Sequence, residues 1–168
     1  MYRDFVLIVH VRFTVQANPG TLPTFERALF GPFTIILQQD IDRACPPNRS
    51  PVSNLADRSD FDTRLPEYIP YVFQILAQML DLHTGDVPAD YRSLLPFLLT
   101  PASWQQKGSV PGLVKLLKAF LSRDARAMVA AGQLTQVLGV VQQRLIPSKI
   151  NDGWGFELLQ AVVQYAPA

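Results

Sequence analysis

A succession of stretches, each apolar over more than half of a helical circumference and each closed by Gly, Pro or Asp, limits this chain's folds more than any other feature. The best formed is "EYIPYVFQILAQMLDLH". In it Ile69, Val72, Phe73, Ile75, Leu76, Met79, Leu80 and Leu82 share a broad apolar face, and Gln74, Gln78 and Asp81 form a narrow polar stripe. That spacing predicts a helix. Pro70 falls in its expected first turn, where a missing N–H costs little, and Gly85 is placed to stop it.

The plan recurs along the chain. "DVPADYRSLLPFLLTP" carries start signals at Asp86 and Pro88 and ends at Pro101. "SVPGLVKLLKAFLSR" sets Leu113, Val114, Leu116, Leu117, Phe120 and Leu121 against Lys115, Lys118 and Ser122 on one side. "GQLTQVLGVVQQRLIPS" follows, then "NDGWGFELLQAVVQYAP", with Glu157, Gln160 and Gln164 as its polar stripe and Asn151 or Asp152 as its cap. Earlier, "FERALFGPFTIILQQDI" holds Gly31-Pro32 in its interior, which predicts a kink or a loss of about 3 kcal/mol. Helices this apolar suit packing on both sides, and their pairing approaches the ~40-residue interval of HEAT or armadillo units. A compact helical bundle has the same periodicity, so patterning alone leaves solenoid and bundle open.

Composition narrows the function. With 168 residues, 48% hydrophobic and 17% charged, the chain can bury a core of ordinary size. A net charge of +1 with scattered Lys and Arg gives no basic face for nucleic acid or an anionic membrane. The single cysteine, Cys45, excludes an intramolecular disulfide and a cysteine-based metal site, and fits a reducing compartment. "FVLIVHVRF", Phe5 to Phe13, is interrupted by His10 and Arg12 and falls short of the ~20 residues that cross a bilayer. It reads as a buried helix of a soluble chain, with a strand as the alternative because of its β-branched content.

No catalytic, cofactor or metal site is expected. His10 and His83 lie on separate segments without a second ligand at i+3 or i+4, and Cys45 has no nearby histidine. "GSVPG", Gly108 to Gly112, lacks the preceding strand and the Lys-Ser/Thr ending of a phosphate loop, and "NDGWGF" has too few oxygen ligands for calcium. Trp104, Trp154, Phe97, Phe120, Phe156 and Tyr165 read as core aromatics. The polar stripes have two readings. They are solvated faces, or, on equivalent helices of a solenoid, they line one surface and form a groove for a protein partner.

One stretch departs from the plan. "DRACPPNRSPVSNLADRSDFDTRLP", Asp42 to Pro66, has no sustained period and few sizeable apolar groups, so it cannot offset its own ordering entropy. It divides the chain into a helix pair over 1–41, an expected disordered insert over 42–66 and helical repeats over 67–168.

"EYIPYVFQILAQML", "SVPGLVKLLKAFLSR", "SKINDGWGFELLQAVV" and "ANPGTLPTFERALFGPFTIILQQD" resemble, in that family's order, the C-terminal HEAT-repeat region of the CAS/CSE nuclear exportins. The resemblance covers most of the chain outside Asp42 to Pro66. It implies an all-α HEAT-repeat α-solenoid, a right-handed superhelix of antiparallel helix pairs, present here as a fragment of roughly four pairs. It also implies a non-enzymatic role in protein transport. Such karyopherin-beta receptors carry importin-alpha with the GTP-bound Ran GTPase and shuttle between nucleus and cytoplasm through the nuclear pore. A generic helical-repeat scaffold is the alternative. In the family the helix resembling "TIILQQDI" runs almost directly into the one resembling "EYIPYVFQ", so Asp42 to Pro66 is extra: a lineage-specific loop, or translated non-coding sequence such as an unspliced intron. Apolar ends that neighbouring repeats would normally cover predict marginal stability and association in isolation.

Overall fold

The computed structural model describes residues 13–44, 60–83, 85–106 and 108–166. Residues 13–17 are helical and a 3₁₀ turn, Pro19–Thr21, leads into helix α1 (Leu22–Ala44). Helices α2 (Asp60–Leu82) and α3 (Ala89–Leu98) follow, then a second 3₁₀ turn, Pro101–Trp104. The chain continues through α4 (Val110–Ala130), α5 (Gln133–Val140), a π turn (Val141–Leu145) and α6 (Asp152–Tyr165). Among the described residues there is no strand.

The way these helices stack follows from a few close contacts. Gly112 on α4 lies against Pro70 and Phe73 of α2, and further along Arg123 donates to the Asp81 main-chain carbonyl at 2.8 Å. Helices α2 and α4 therefore run parallel, offset by 42 residues. Lys118 on α4 meets Glu157 on α6 at an offset of 39. Between them α3 runs the other way, because Phe97 near its end stacks on Phe73 while Tyr91 near its start meets His83. Glu26 near the start of α1 likewise meets His83 at the end of α2. The described helices thus alternate in direction, α1 against α2, α3 reaching α4 through Arg92 and Asp124, and the π turn after α5 meeting α6 at Gly155, while α2, α4 and α6 pack side by side. Parallel neighbours repeating near the ~40-residue HEAT interval are what an up-and-down bundle does not give. The chain is an all-α, HEAT-like fragment.

The core lies where α2 and α4 pack, the most extensive contact in the fold. Phe73, Leu76, Met79, Leu80, Leu113, Leu116, Leu117 and Phe120 are fully buried, and each such side chain contributes about 1.5–3 kcal/mol. Gly112 is what lets the two helices approach. A Cβ there would stand 2.9 Å from both Phe73 Cβ and the Pro70 carbonyl oxygen. Gly155 on α6 does the same against Leu145 and Ile146.

The first pair differs in spacing. Glu26 on α1 and Tyr91 on α3 touch across 65 residues, against 42 for the next step, an excess of 23. The expected insert over 42–66 falls here. Helix α1 runs to Ala44 and α2 starts at Asp60, while residues 45–59, with Cys45, lie outside the described residues. Most of "FVLIVHVRF", with His10, lies outside them too.

Several local expectations are corrected. Pro70 is not in a first turn, since α2 begins at Asp60 and passes through it. In keeping with the reading of Gly31-Pro32 as interior to a helix, α1 continues through Pro32, with the Thr34 hydroxyl 3.0 and 2.8 Å from the carbonyl oxygens of Phe30 and Gly31. Helix α4 extends to Ala130 across a break at Asp124, whose carboxylate pairs with Arg92 at 2.9 Å. Asn151 stands at the start of α6 without a side-chain cap bond, and Asp152 instead accepts from the Gly153 N–H at 2.7 Å. Trp104 is buried with its Nε1 donating to the Leu98 carbonyl, and Phe120 is in the core, but Phe156 is 61% exposed and Tyr165 also faces outward. Among the described residues no neighbour covers Phe156 or Val163 on α6.

Candidate functional site

The three polar stripes lie on the three helices that pack side by side. On α2, Gln74 and Gln78 are half-buried and Asp81 is exposed. On α4, Lys115 and Ser122 are exposed and Lys118 is partly covered. On α6, Glu157 is partly covered and Gln160 and Gln164 are exposed. Gln74 reaches across to α4, its Cγ within 3.6 Å of the position a Cβ of Gly112 would occupy. From α4, Lys118 Nζ lies 2.5 Å from Glu157 Oε1 on α6. Gln74 thus approaches α4 at Gly112, and the stripes of α4 and α6 meet at the Lys118–Glu157 pair, where two charges satisfy each other.

That pair joins neighbouring repeats. Its side chains are 35% and 38% exposed, so water screens it and its contribution is modest. Ser122 is also occupied locally, donating to the Ala119 carbonyl. Lys115, Gln160 and Gln164 are the stripe residues most open to a partner. On α2, Gln78 Oε1 is buried with no hydrogen-bond partner. Gln78 lines a cleft of about 200 Å³ with Gln16, Asp81 and Leu82.

A second polar cluster, absent from the sequence reading, ties the first pair to the second. Tyr91 OH donates to Glu26 Oε1 at 2.8 Å, and His83 Nε2 lies 2.5 Å from the same oxygen. Phe30 packs edge-on against Tyr91 at 4.8 Å between ring centres. Burial first, then the Glu26 carboxylate, holds the Tyr91 phenol well above the usual tyrosine range. The cluster is partly buried and ties α1 to α2 and α3. Nothing in the periodicity of these segments marks it, because its members are 57 and 65 residues apart.

Among the described residues no three His, Cys, Asp or Glu side chains converge as a metal site, and no helix is long and apolar enough to cross a membrane. The three polar stripes remain the candidate site.

Comparison with known proteins fits that picture. The family model described as "CAS/CSE protein, C-terminus" matches residues 4–168. The chain belongs to the CAS/CSE family. It is 38% identical to Exportin-2 of Homo sapiens over 168 residues, which is 99% of this chain and 15% of the relative. Identity is also 38% to Exportin-2 of Danio rerio over 164 residues, 96% of this chain and 14% of the relative. Exportin-2 of Xenopus laevis gives 38% over 169 residues, 99% and 15%. The chain thus spans about 15% of the length of these CAS/CSE relatives. No solved structure matches it. The family is one of nuclear export receptors.

Proposed function

We propose that this chain is part of a nuclear export receptor that binds importin-alpha together with GTP-bound Ran and shuttles between nucleus and cytoplasm. The observation that supports the reading is that the three polar stripes lie on the three helices that pack side by side, two of them joined by Lys118 and Glu157. Gln74, Gln78, Asp81, Lys115, Lys118, Ser122, Glu157, Gln160 and Gln164 lie on α2, α4 and α6, which pack side by side in one layer. A face built this way presents polar groups over successive repeats, and its binding energy is summed from several modest contacts. The chain acts as a scaffold in this reading and carries out no reaction. We further read residues 42–66 as an insertion between the helices of the first pair, supported by the excess of 23 residues in its stacking offset.

The test is a pull-down of importin-alpha by this chain, with Ran loaded with GTP or GDP. A triple variant, Lys115→Glu, Gln160→Ala and Gln164→Ala, is compared with the parent. The expected result is capture that needs GTP-bound Ran and falls in the variant while its circular dichroism is unchanged. Capture equal in parent and variant would refute the stripes as the binding face. No capture by the parent would refute the reading for this chain.

A further inference from the structure

We infer that the outer face of α6 and the turn before it receive an acidic segment of a partner protein, one that carries a large apolar side chain among its carboxylates. Phe156 and Val163 stand seven residues apart, hence on one side of α6, and Val163 is 83% exposed. In the turn Ile150 is 72% exposed, and Ile146 is exposed where it passes Gly155, its Cδ1 3.1 Å from the position of a Cβ there. Large apolar side chains gathered in this way mark a contact site, whereas scattered single ones do not. The turn is also fixed in shape. Ser148 N–H donates to the Leu145 carbonyl at 3.1 Å, and the N–H groups of Asn151 and Asp152 both donate to the Ser148 carbonyl at 2.9 Å. A partner therefore meets a surface that needs little ordering.

Charge selects the occupant. Residues 108–166 hold six cations and three acids, although the whole chain is only +1. Lys118 is paired with Glu157, and Arg123 donates to the carbonyls of Asp81 and Gly85. Lys115, Arg126, Arg144 and Lys149 are exposed, and none has a side-chain ion pair or hydrogen bond among the described residues. The acids are all engaged: Asp124 with Arg92, Glu157 with Lys118, and Asp152 through one oxygen with the Gly153 N–H. Two of the unpaired cations flank the apolar groups in the chain, Arg144 two residues before Ile146 and Lys149 next to Ile150. A purely apolar cover would take them out of water with nothing to pair them, which is costly. Carboxylates around an apolar side chain pair them while that side chain covers Ile150 and Phe156.

The experiment titrates the isotope-labelled full chain with three short peptides: phenylalanine flanked by glutamates, phenylalanine flanked by glutamines, and alanine flanked by glutamates. The backbone amides of Lys149, Ile150 and Phe156 and the methyl groups of Ile146 and Val163 are followed. Saturable shifts are expected with the first peptide, at least about tenfold tighter than with either control and weaker as salt is raised. Lys149→Glu and Ile150→Ser, both at exposed positions, are expected to weaken it. A response to either control equal to the first, or shifts that miss these residues, overturns the proposal. Broadening of the same resonances with chain concentration alone, removed by Phe156→Ser, gives the face to a second copy and overturns it too. Neither variant alters a stripe residue, so the importin-alpha pull-down and this titration fail independently.

Discussion

Replacing Gly112 by alanine tests whether the approach of α2 and α4 is set by the missing side chain. The added methyl would lie 2.9 Å from Phe73 Cβ and 2.9 Å from the Pro70 carbonyl oxygen, half an ångström short of the 3.4 Å at which ordinary contact begins. Neither atom is the far end of a flexible side chain. Relief therefore requires α2 and α4 to separate along the interface that buries Phe73, Leu116 and Leu117. Overpacking of this kind costs about 1–3 kcal/mol. Alanine gains back about 1 kcal/mol of helix propensity over glycine, which leaves a net loss of up to about 2 kcal/mol. For a chain of this size that is a fall of up to about 8 °C in Tm. Gly139→Ala is the control, because nothing lies within 4 Å of a Cβ there, and it should stabilise α5 slightly. Thermal and urea unfolding of both variants by circular dichroism decides the matter. If Gly112→Ala melts at or above the parent, or tracks Gly139→Ala, the close-approach argument is wrong.

The other predictions concern the joints between repeats. Gly155→Ala meets Leu145 Cβ at 3.0 Å and the movable Ile146 Cδ1 at 3.1 Å, so its loss in urea unfolding should be at most about 1 kcal/mol, smaller than at Gly112. A double-mutant cycle on Lys118→Met and Glu157→Gln should give a coupling of about 0.2–1 kcal/mol that shrinks at high salt; a larger, salt-independent value would mean the pair is drier than its exposure implies. Tyr91 has a folded-state pKa raised above the ordinary 10.0, so the stability it contributes is fully present below pH 10 and lost as pH rises above it. Unfolding free energy measured from pH 8 to 11 should therefore turn downward at the alkaline end, and Tyr91→Phe should flatten that turn.

How much of this was legible in the sequence depended on whether a residue's environment is local. The apolar faces of α2 and α4 were readable because burial there repeats with the helix period, and every residue of the α4 set from Leu113 to Leu121 named from that period is buried. The start of α2 was not readable. Its first residues, Asp60 to Pro66, have no apolar period, and Pro66 argues against a helix on local grounds. Phe156 and Tyr165 were assigned to the core because they are aromatic on an apolar segment, yet exposure is decided by whether another helix covers that side of α6. The stripes themselves were visible as polar positions. That Lys118 would be engaged by Glu157 was not, since the pairing depends on an offset of 39 residues fixed only once the helices stack. The Glu26, His83 and Tyr91 cluster lay beyond reach for the same reason.

The glycine at the α2–α4 crossing has an effect beyond the local fit. Where each helix pair touches only the pairs before and after it, a change in spacing at one joint is not averaged away by the rest of the fold but passed on as a tilt. A tilt acts as a lever, so a displacement smaller than a methyl group at Gly112 grows with every repeat beyond it. The curvature of such a stack is held by single hydrogen atoms at the crossings.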